Sequence, residues 1–162
     1  MTYARVLVVE DESIVSKDIQ NTLRGLGYSV SGTANSGELA IEKARELSPD
    51  LILMDIRLKG EVDGISAAEQ IQTESSVPII YLTAHGDART IERAKITEPF
   101  GYIMKPFAEH DLHTTIEMAL YRHKMEKRLI ESERKFKDLY HNAPDGYLTI
   151  DAAGVVQNAN ST

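Results

Sequence analysis

The chain has 162 residues, of which 42% are apolar and 27% charged; this is room for one folded domain of ordinary size with an appendage, and not the composition of a disordered chain. Eighteen basic against 25 acidic side chains give a formal charge of −7, which disfavours sequence-independent binding to nucleic acid or anionic lipid. The absence of cysteine excludes disulfides and thiolate metal sites and fits a reducing cytoplasm. Met1 to Glu10 has no cationic lead or cleavage pattern and no window approaches about 18 uninterrupted apolar residues, so neither a signal peptide nor a membrane span is expected.

The first 120 or so residues alternate strand and helix patterns. Arg5 to Val9 is a short β-branched run, and from Ser13, a candidate N-cap, Ile14, Val15, Ile19, Leu23 and Leu26 recur at helical spacing until Gly25 and Gly27 end the helix. Tyr28 to Ala34 predicts a second strand. Ser36 to Leu47 predicts a second helix, stopped by Pro49. Leu51 to Met54 is uniformly apolar, as a strand buried on both faces of a parallel sheet would be. A loop at Gly60 to Gly64 leads into a helix to about Gln72. Val77 to Leu82 predicts a fourth strand, Asp87 to Lys95 a fourth helix, Gly101 to Met104 a fifth strand, and a last helix starts near Glu109 after Pro106. Five such units imply a doubly wound α/β fold: a five-stranded parallel sheet in the order 2-1-3-4-5, helices on both faces, and a ligand site outside the carboxyl ends of the strands.

Those ends carry chemistry. Strand one runs into Glu10, Asp11 and Glu12, strand three into Asp55, strand four into Thr83 and Ala84, and strand five into Lys105 and Pro106. Singly, each has a bland explanation: an acid after a strand usually caps a turn, and a Lys-Pro step is usually a bend. Together, carboxylates crowded at one sheet edge repel one another and raise each other's pKa. A hard divalent cation such as Mg²⁺, which takes a few carboxylates plus water and phosphate oxygens, resolves that conflict.

The segments VLVVEDE, LILMDIRLKGEVDG, IIYLTA and GYIMKPF resemble, in order and spacing, the motifs of two-component response-regulator receiver domains, which are CheY-like and flavodoxin-like in fold. The likeness covers about residues 3–123. It implies that Asp55 is the phosphoacceptor and that Asp11, with Glu10 beside it, holds Mg²⁺ together with Asp55 and the backbone carbonyl of Arg57. It implies further that Thr83 and the adjoining Ala84 bind the phosphoryl group, that Lys105 pairs with a phosphoryl oxygen, and that the ring of Tyr102 turns inward on activation. The implied phosphodonor is a histidine kinase or a phosphotransfer protein. Two departures stand out: Lys59 occupies a stretch where the family usually has a proline, and that stretch is one residue longer than usual, so a looser loop is expected there. His85, on the strand-to-helix loop, is a lesser candidate base. Two other readings remain open: an aspartate-nucleophile phosphohydrolase, which usually has a second acid where Arg57 stands, and a receiver-shaped module that is never phosphorylated.

From Leu112 to about His141 there is neither proline nor glycine, which predicts a helix of roughly 45 Å. Met118, Arg122, Met125, Leu129, Ser132, Phe136 and Leu139 fall on a heptad seam, so residues 124–141 are expected to form a helical linker that makes a homodimer through a coiled coil; the alternative is a single amphipathic helix lying against its own domain. Residues 142–162, HNAPDGYLTIDAAGVVQNAN followed by Ser-Thr, resemble the start of a PAS sensor domain. The expectation is a hairpin packed on the long helix or on a second chain, and a longer parent with PAS and kinase domains downstream. Within these residues only self-phosphorylation and self-dephosphorylation are expected, with no nucleic-acid or membrane contact.

Overall fold

The computed structural model describes residues 4–84, 88–142 and 148–159, and the chain divides into two compact units, Met1–His123 and Lys124–Thr162. In the first unit β1 (Arg5–Val9), β2 (Ser29–Ala34), β3 (Leu51–Asp55), β4 (Ile79–Ala84) and β5 (Gly101–Lys105) form one sheet in the order β2-β1-β3-β4-β5. Every neighbouring pair is parallel. Between the strands run α1 (Ser13–Gly25), α2 (Gly37–Leu47), α3 (Gly64–Glu74) and α4 (Ala88–Ala94), the last continued by a 3₁₀ turn at Lys95–Thr97. The final helix, α5 (Glu109–His141), has 33 residues, about 50 Å at 1.5 Å per residue. This is the expected flavodoxin-like architecture with its extended C-terminal helix.

The central strands are apolar throughout Val6–Val9, Leu51–Met54 and Ile79–Leu82 because alternate side chains feed two cores. Leu7, Val9, Ile52, Met54 and Tyr81 pack with residues of α2, α3 and α4. Val6, Val8, Leu51, Leu53, Ile80 and Leu82 pack with Ile19 and Leu23 of α1 and with Leu112, Ile116 and Ala119 of α5. Each such leucine or isoleucine contributes about 1.5–3 kcal/mol of transfer free energy. Two loops close tightly over the site edge. A Cβ on Gly64 would run into the backbone carbonyl of Asp55, and one on Gly37 into the carbonyl of Val62. Only glycine lets α3 and α2 start that close.

Several boundaries differ from the sequence expectation, each for a physical reason. Ile14 is 84% exposed: α1 turns Ser16, Ile19 and Leu23 to the sheet, and position 14 lies about 200° around the helix from 16. Ser13 is the first helical residue rather than the cap; Glu12 takes that place without a side-chain bond. β4 starts after Pro78, whose carbonyl accepts from Ile52 N–H, and extends to Ala84 because Thr83 and Ala84 pair with Met104 and Lys105. The fourth helix ends in a 3₁₀ turn where Thr97 Oγ1 donates to the Ala94 carbonyl, 2.7 Å, and meets the Tyr81 hydroxyl, 2.9 Å. The predicted start at Asp87 lies outside the described residues.

In the second unit β6 (Leu148–Ile150) and β7 (Val156–Ala159) pair antiparallel, as the expected hairpin should. The Asp151 carboxylate accepts from the backbone N–H groups of Ala153 and Val155, both at 2.9 Å, which builds the turn. Ile150, Val155 and Val156 remain more than half exposed, so the burial expected of the hairpin is not seen among the described residues. The APDG turn lies outside them.

Asp63, N-cap of α3, accepts from Ser66 N–H at 2.8 Å and pairs with Arg93 of α4 at 2.9 Å. Burial opposes its charge, but the Ser66 N–H and the Arg93 guanidinium prevail and hold its carboxyl below the ordinary value of 3.8. A depressed native pKa stabilises the fold above the ordinary value, and that contribution fades as pH falls through the native one. Asp63→Ala is therefore expected to cost about 1 kcal/mol near neutral pH, with the gap in urea midpoints between variant and parent closing in acid. A gap that persists unchanged below pH 3.8 would contradict this.

Candidate functional site

The strand register brings the charged ends together. Val9 pairs with Met54, so the next residue on each side, Glu10 and Asp55, reach the same edge. Asp55 pairs with Leu82, which puts Thr83 one step beyond it, and Ala84 pairs with Lys105. Glu10 and Asp55 are 2% and 6% exposed. The Lys105 ammonium sits between them, with Nζ 2.5 Å from Glu10 Oε2 and 2.6 Å from Asp55 Oδ2. The other oxygen of each acid is held by backbone: Glu12 N–H donates to Glu10 Oε1 at 3.1 Å, and Arg57 N–H to Asp55 Oδ1 at 3.0 Å. The peptide bond that follows Lys105 is cis.

Burial pushes the Glu10 carboxyl up from its ordinary value; Asp55 adds to this while Lys105 draws it back. For Lys105 burial acts against the charged form, but hydrogen bonds to Asp55 and Glu10 outweigh it and hold the ammonium above the ordinary lysine value. The site is thus a desolvated acid pair with a fixed cation, the arrangement in which removing one partner costs most.

Asp11 completes the acidic set. Glu10, Asp11 and Asp55 each offer an oxygen within 4.8 Å of the others. A purely oxygen donor set with three carboxylates suits a hard divalent cation, so these residues fit Mg²⁺. Asp11 Oδ2 also receives Lys59, whose backbone N–H lies at 3.3 Å and Nζ at 3.4 Å. Arg57 gives its backbone N–H to Asp55; its carbonyl is the one the family resemblance implies for the metal.

The remaining predicted residues flank this centre. Thr83 is buried, and its hydroxyl donates to the Ala84 carbonyl at 3.3 Å rather than to a carboxylate. Ala84 is exposed. The Tyr102 ring lies 6.0 Å from that of Tyr81 and is tilted against it by 32°; its hydroxyl is shielded from solvent without a hydrogen-bond partner among the described residues, and burial raises its pKa. His85 lies outside the described residues.

Sequence reasoning missed three supports. Asp63 as the cap of α3 was legible, since a capping acid stands three residues before Ser66. The backbone donors of Glu12 and Arg57 were not, because any residue type supplies an N–H. The Lys59 contact with Asp11 spans 48 positions and had no local signal.

A parallel five-stranded sheet with a lysine-bridged acid pair, a third carboxylate and a threonine at one edge defines an α/β receiver module. A model of the response regulator receiver domain matches residues 6–117, and the chain belongs to that family. It is 39% identical over 118 residues to the transcriptional regulatory protein PdtaR of Mycobacterium tuberculosis, spanning 73% of this chain and 57% of that one. It is 37% identical over 116 residues to the transcriptional regulatory protein ZraR of Escherichia coli K12, 71% of this chain and 26% of that one. The chain thus matches only part of these longer relatives. Among solved structures it resembles the signal receiver domain of a modulated diguanylate cyclase from Desulfovibrio desulfuricans, with 40% identity, TM-score 0.74, and coverage of 77% and 99%. It also resembles the N-terminal domain of a response regulator/sensory box/GGDEF three-domain protein from Carboxydothermus hydrogenoformans, with 40% identity, TM-score 0.71, and coverage of 75% and 98%.

Lys105→Met leaves Glu10 and Asp55 facing each other without their cation. In metal-free buffer it is expected to lower stability by about 1–3 kcal/mol, read as a shift in denaturant midpoint. Asp55→Asn in the same background should restore part of the loss, because the two effects share one contact. Additive effects of the two substitutions would show that the bridge carries no coupling.

Proposed function

We propose that this chain is a phosphoacceptor switch: Asp55 takes a phosphoryl group from a histidine kinase or phosphotransfer protein, with Mg²⁺ held by Glu10, Asp11, Asp55 and the Arg57 carbonyl. The observation that carries the reading is the Lys105 bridge between the buried Glu10 and Asp55, with an oxygen of Asp11 within 4.8 Å of theirs. When bound, the Mg²⁺ would neutralise charge on the phosphoryl oxygens.

The chain's own residues account for the rest. A carboxylate oxygen of Asp55 forms the new O–P bond as the donor's bond to phosphorus breaks and the donor departs with its electron pair. The transition state is loose and metaphosphate-like, so placement and charge dominate. Arg57 N–H fixes one oxygen of Asp55 and so orients the carboxylate. Lys105 already contacts the other and needs only a short shift to pair with a phosphoryl oxygen, an attraction of about 4 kcal/mol at an effective dielectric near 20, before desolvation. Thr83 is held by one long bond to the Ala84 carbonyl, which a phosphate oxygen can replace. Tyr102, buried at the hydroxyl against Tyr81, is placed to follow that movement. Local charge would thereby bias a two-state element.

The output is proposed to run through α5 to a PAS-containing sensor or kinase. Its support is the continuity of α5 to His141, the hairpin at 148–159 and the likeness to a receiver whose parent carries a sensory box. Exposed Leu129, Phe136 and Leu139 on α5 support a homodimer through that helix. Among the described residues no helix is long and apolar enough to cross a membrane.

Incubation with Mg²⁺ and a small phosphodonor should add about 80 Da, one phosphoryl group, as an acid-stable, base-labile adduct that Asp55→Asn abolishes. Steady phosphate release without an adduct would favour a phosphohydrolase, and no reaction would favour an unphosphorylated module. For the helix, sedimentation should show a concentration-dependent dimer that Leu129→Asp dissociates. A monodisperse monomer at high concentration would sink the coiled coil.

A further inference from the structure

Asp11 differs from its two neighbours in what neutralises it. Glu10 and Asp55 share the partly buried Lys105. Asp11, whose side chain is 9% exposed, meets instead a lysine that is 82% exposed, and meets it twice: the Lys59 backbone N–H and the Lys59 Nζ both approach Asp11 Oδ2, at 3.3 and 3.4 Å.

The loop that carries Lys59 is anchored rather than loose. On one side its Val62 carbonyl lies against Gly37 at the start of α2. On the other, Asp63 caps α3 and pairs with Arg93, and Gly64 seats on the Asp55 carbonyl. The backbone of Lys59 is therefore fixed beside Asp11, while its ammonium, on a flexible stem in solvent, is free to leave. An exposed lysine–carboxylate pair is worth only about 0.2–1 kcal/mol, and the ammonium is repelled by a dication arriving at the same carboxylate.

We propose that Lys59 is a built-in competitor for the divalent cation: its ammonium neutralises Asp11 in the metal-free state, must move away for metal to bind, and so sets the Mg²⁺ affinity of the site. This rests on the metal reading given above and deepens it. The extra residue and the lysine in this loop then tune how much free Mg²⁺ the switch needs before it can be loaded. The backbone N–H of Lys59 is not displaced, so it steadies Asp11 in both states.

The test is calorimetric titration of the unphosphorylated protein with Mg²⁺ alone, comparing parent, Lys59→Met and Lys59→Arg. Losing the charge is expected to tighten Mg²⁺ binding about 2- to 5-fold, the range that an exposed ion pair allows. Lys59→Arg should stay near the parent. Raising the salt from about 0.05 to about 0.5 M should shrink the difference, because screening weakens the pair. Equal or weaker Mg²⁺ binding by Lys59→Met overturns the proposal while leaving the metal site intact. Failure of all three proteins to bind Mg²⁺ overturns the metal reading and the competitor with it. Because Lys59 is so exposed, Lys59→Met is expected to keep the parent's far-ultraviolet circular dichroism, which separates lost affinity from lost fold.

Discussion

Lys105 lies between two carboxylates that burial would otherwise keep apart, with its ammonium within 2.6 Å of each. Desolvation works against the charge of Lys105, a cost that its hydrogen bonds to Asp55 and Glu10 outweigh, while at Glu10 burial still prevails over the contact with Lys105 and leaves the proton affinity raised. The consequence for the fold is that strands β1, β3 and β5, brought into register by apolar cores on either side of the sheet, are also tied across their carboxyl ends by one cation. For the proposed function, the consequence is that the same cation already touches the carboxylate that would take the phosphoryl group, so the group that steadies the resting site is the one that transfer would recruit.

The rigid part of the molecule and the responsive part are separable in residue terms. Val6 to Val9, Leu51 to Met54 and Ile79 to Leu82 are fully buried, and nothing at that depth moves without loss of packing. The weakly held groups cluster above them: a Thr83 hydroxyl on one 3.3 Å bond, a Tyr102 hydroxyl with no partner among the described residues, a Lys59 ammonium in solvent. Under the proposed function, a few loosely tethered groups on a tightly packed sheet would register one phosphoryl group as a discrete rearrangement rather than as a diffuse strain.

Much of this was legible before any coordinates. Uniformly apolar LILM meant a strand buried on both faces, and the acids, threonine and lysine at successive strand ends pointed to one edge. The positions that misread share one cause: each was decided by a partner distant in the chain. Ile14 fits the apolar pattern of α1, yet the face that meets the sheet is set by Ser16, Ile19 and Leu23. The apolar run of the fourth strand stops at Leu82, but pairing with Met104 and Lys105 draws Thr83 and Ala84 into β4. The longer LKGEVDG loop suggested slackness, while its end is held by the Val62 carbonyl against Gly37 and by Asp63 on Arg93.

The sequence by itself determined the order and type of the elements, the doubly wound sheet, and which charged and polar residues stand at the strand ends, because period, turn chemistry and strand ends are local and are written in neighbouring residues. Only the tertiary structure decided who pairs with whom. That Lys105 serves Glu10 and Asp55 at once, that backbone N–H groups of Glu12 and Arg57 hold the opposite oxygens, and that Asp11 answers to Lys59 across 48 positions follow from strand register and loop anchoring. Hydrogen bonds and charge pairs act over about 3 Å, and no residue's own neighbourhood in the chain records which distant group the fold will bring within that reach.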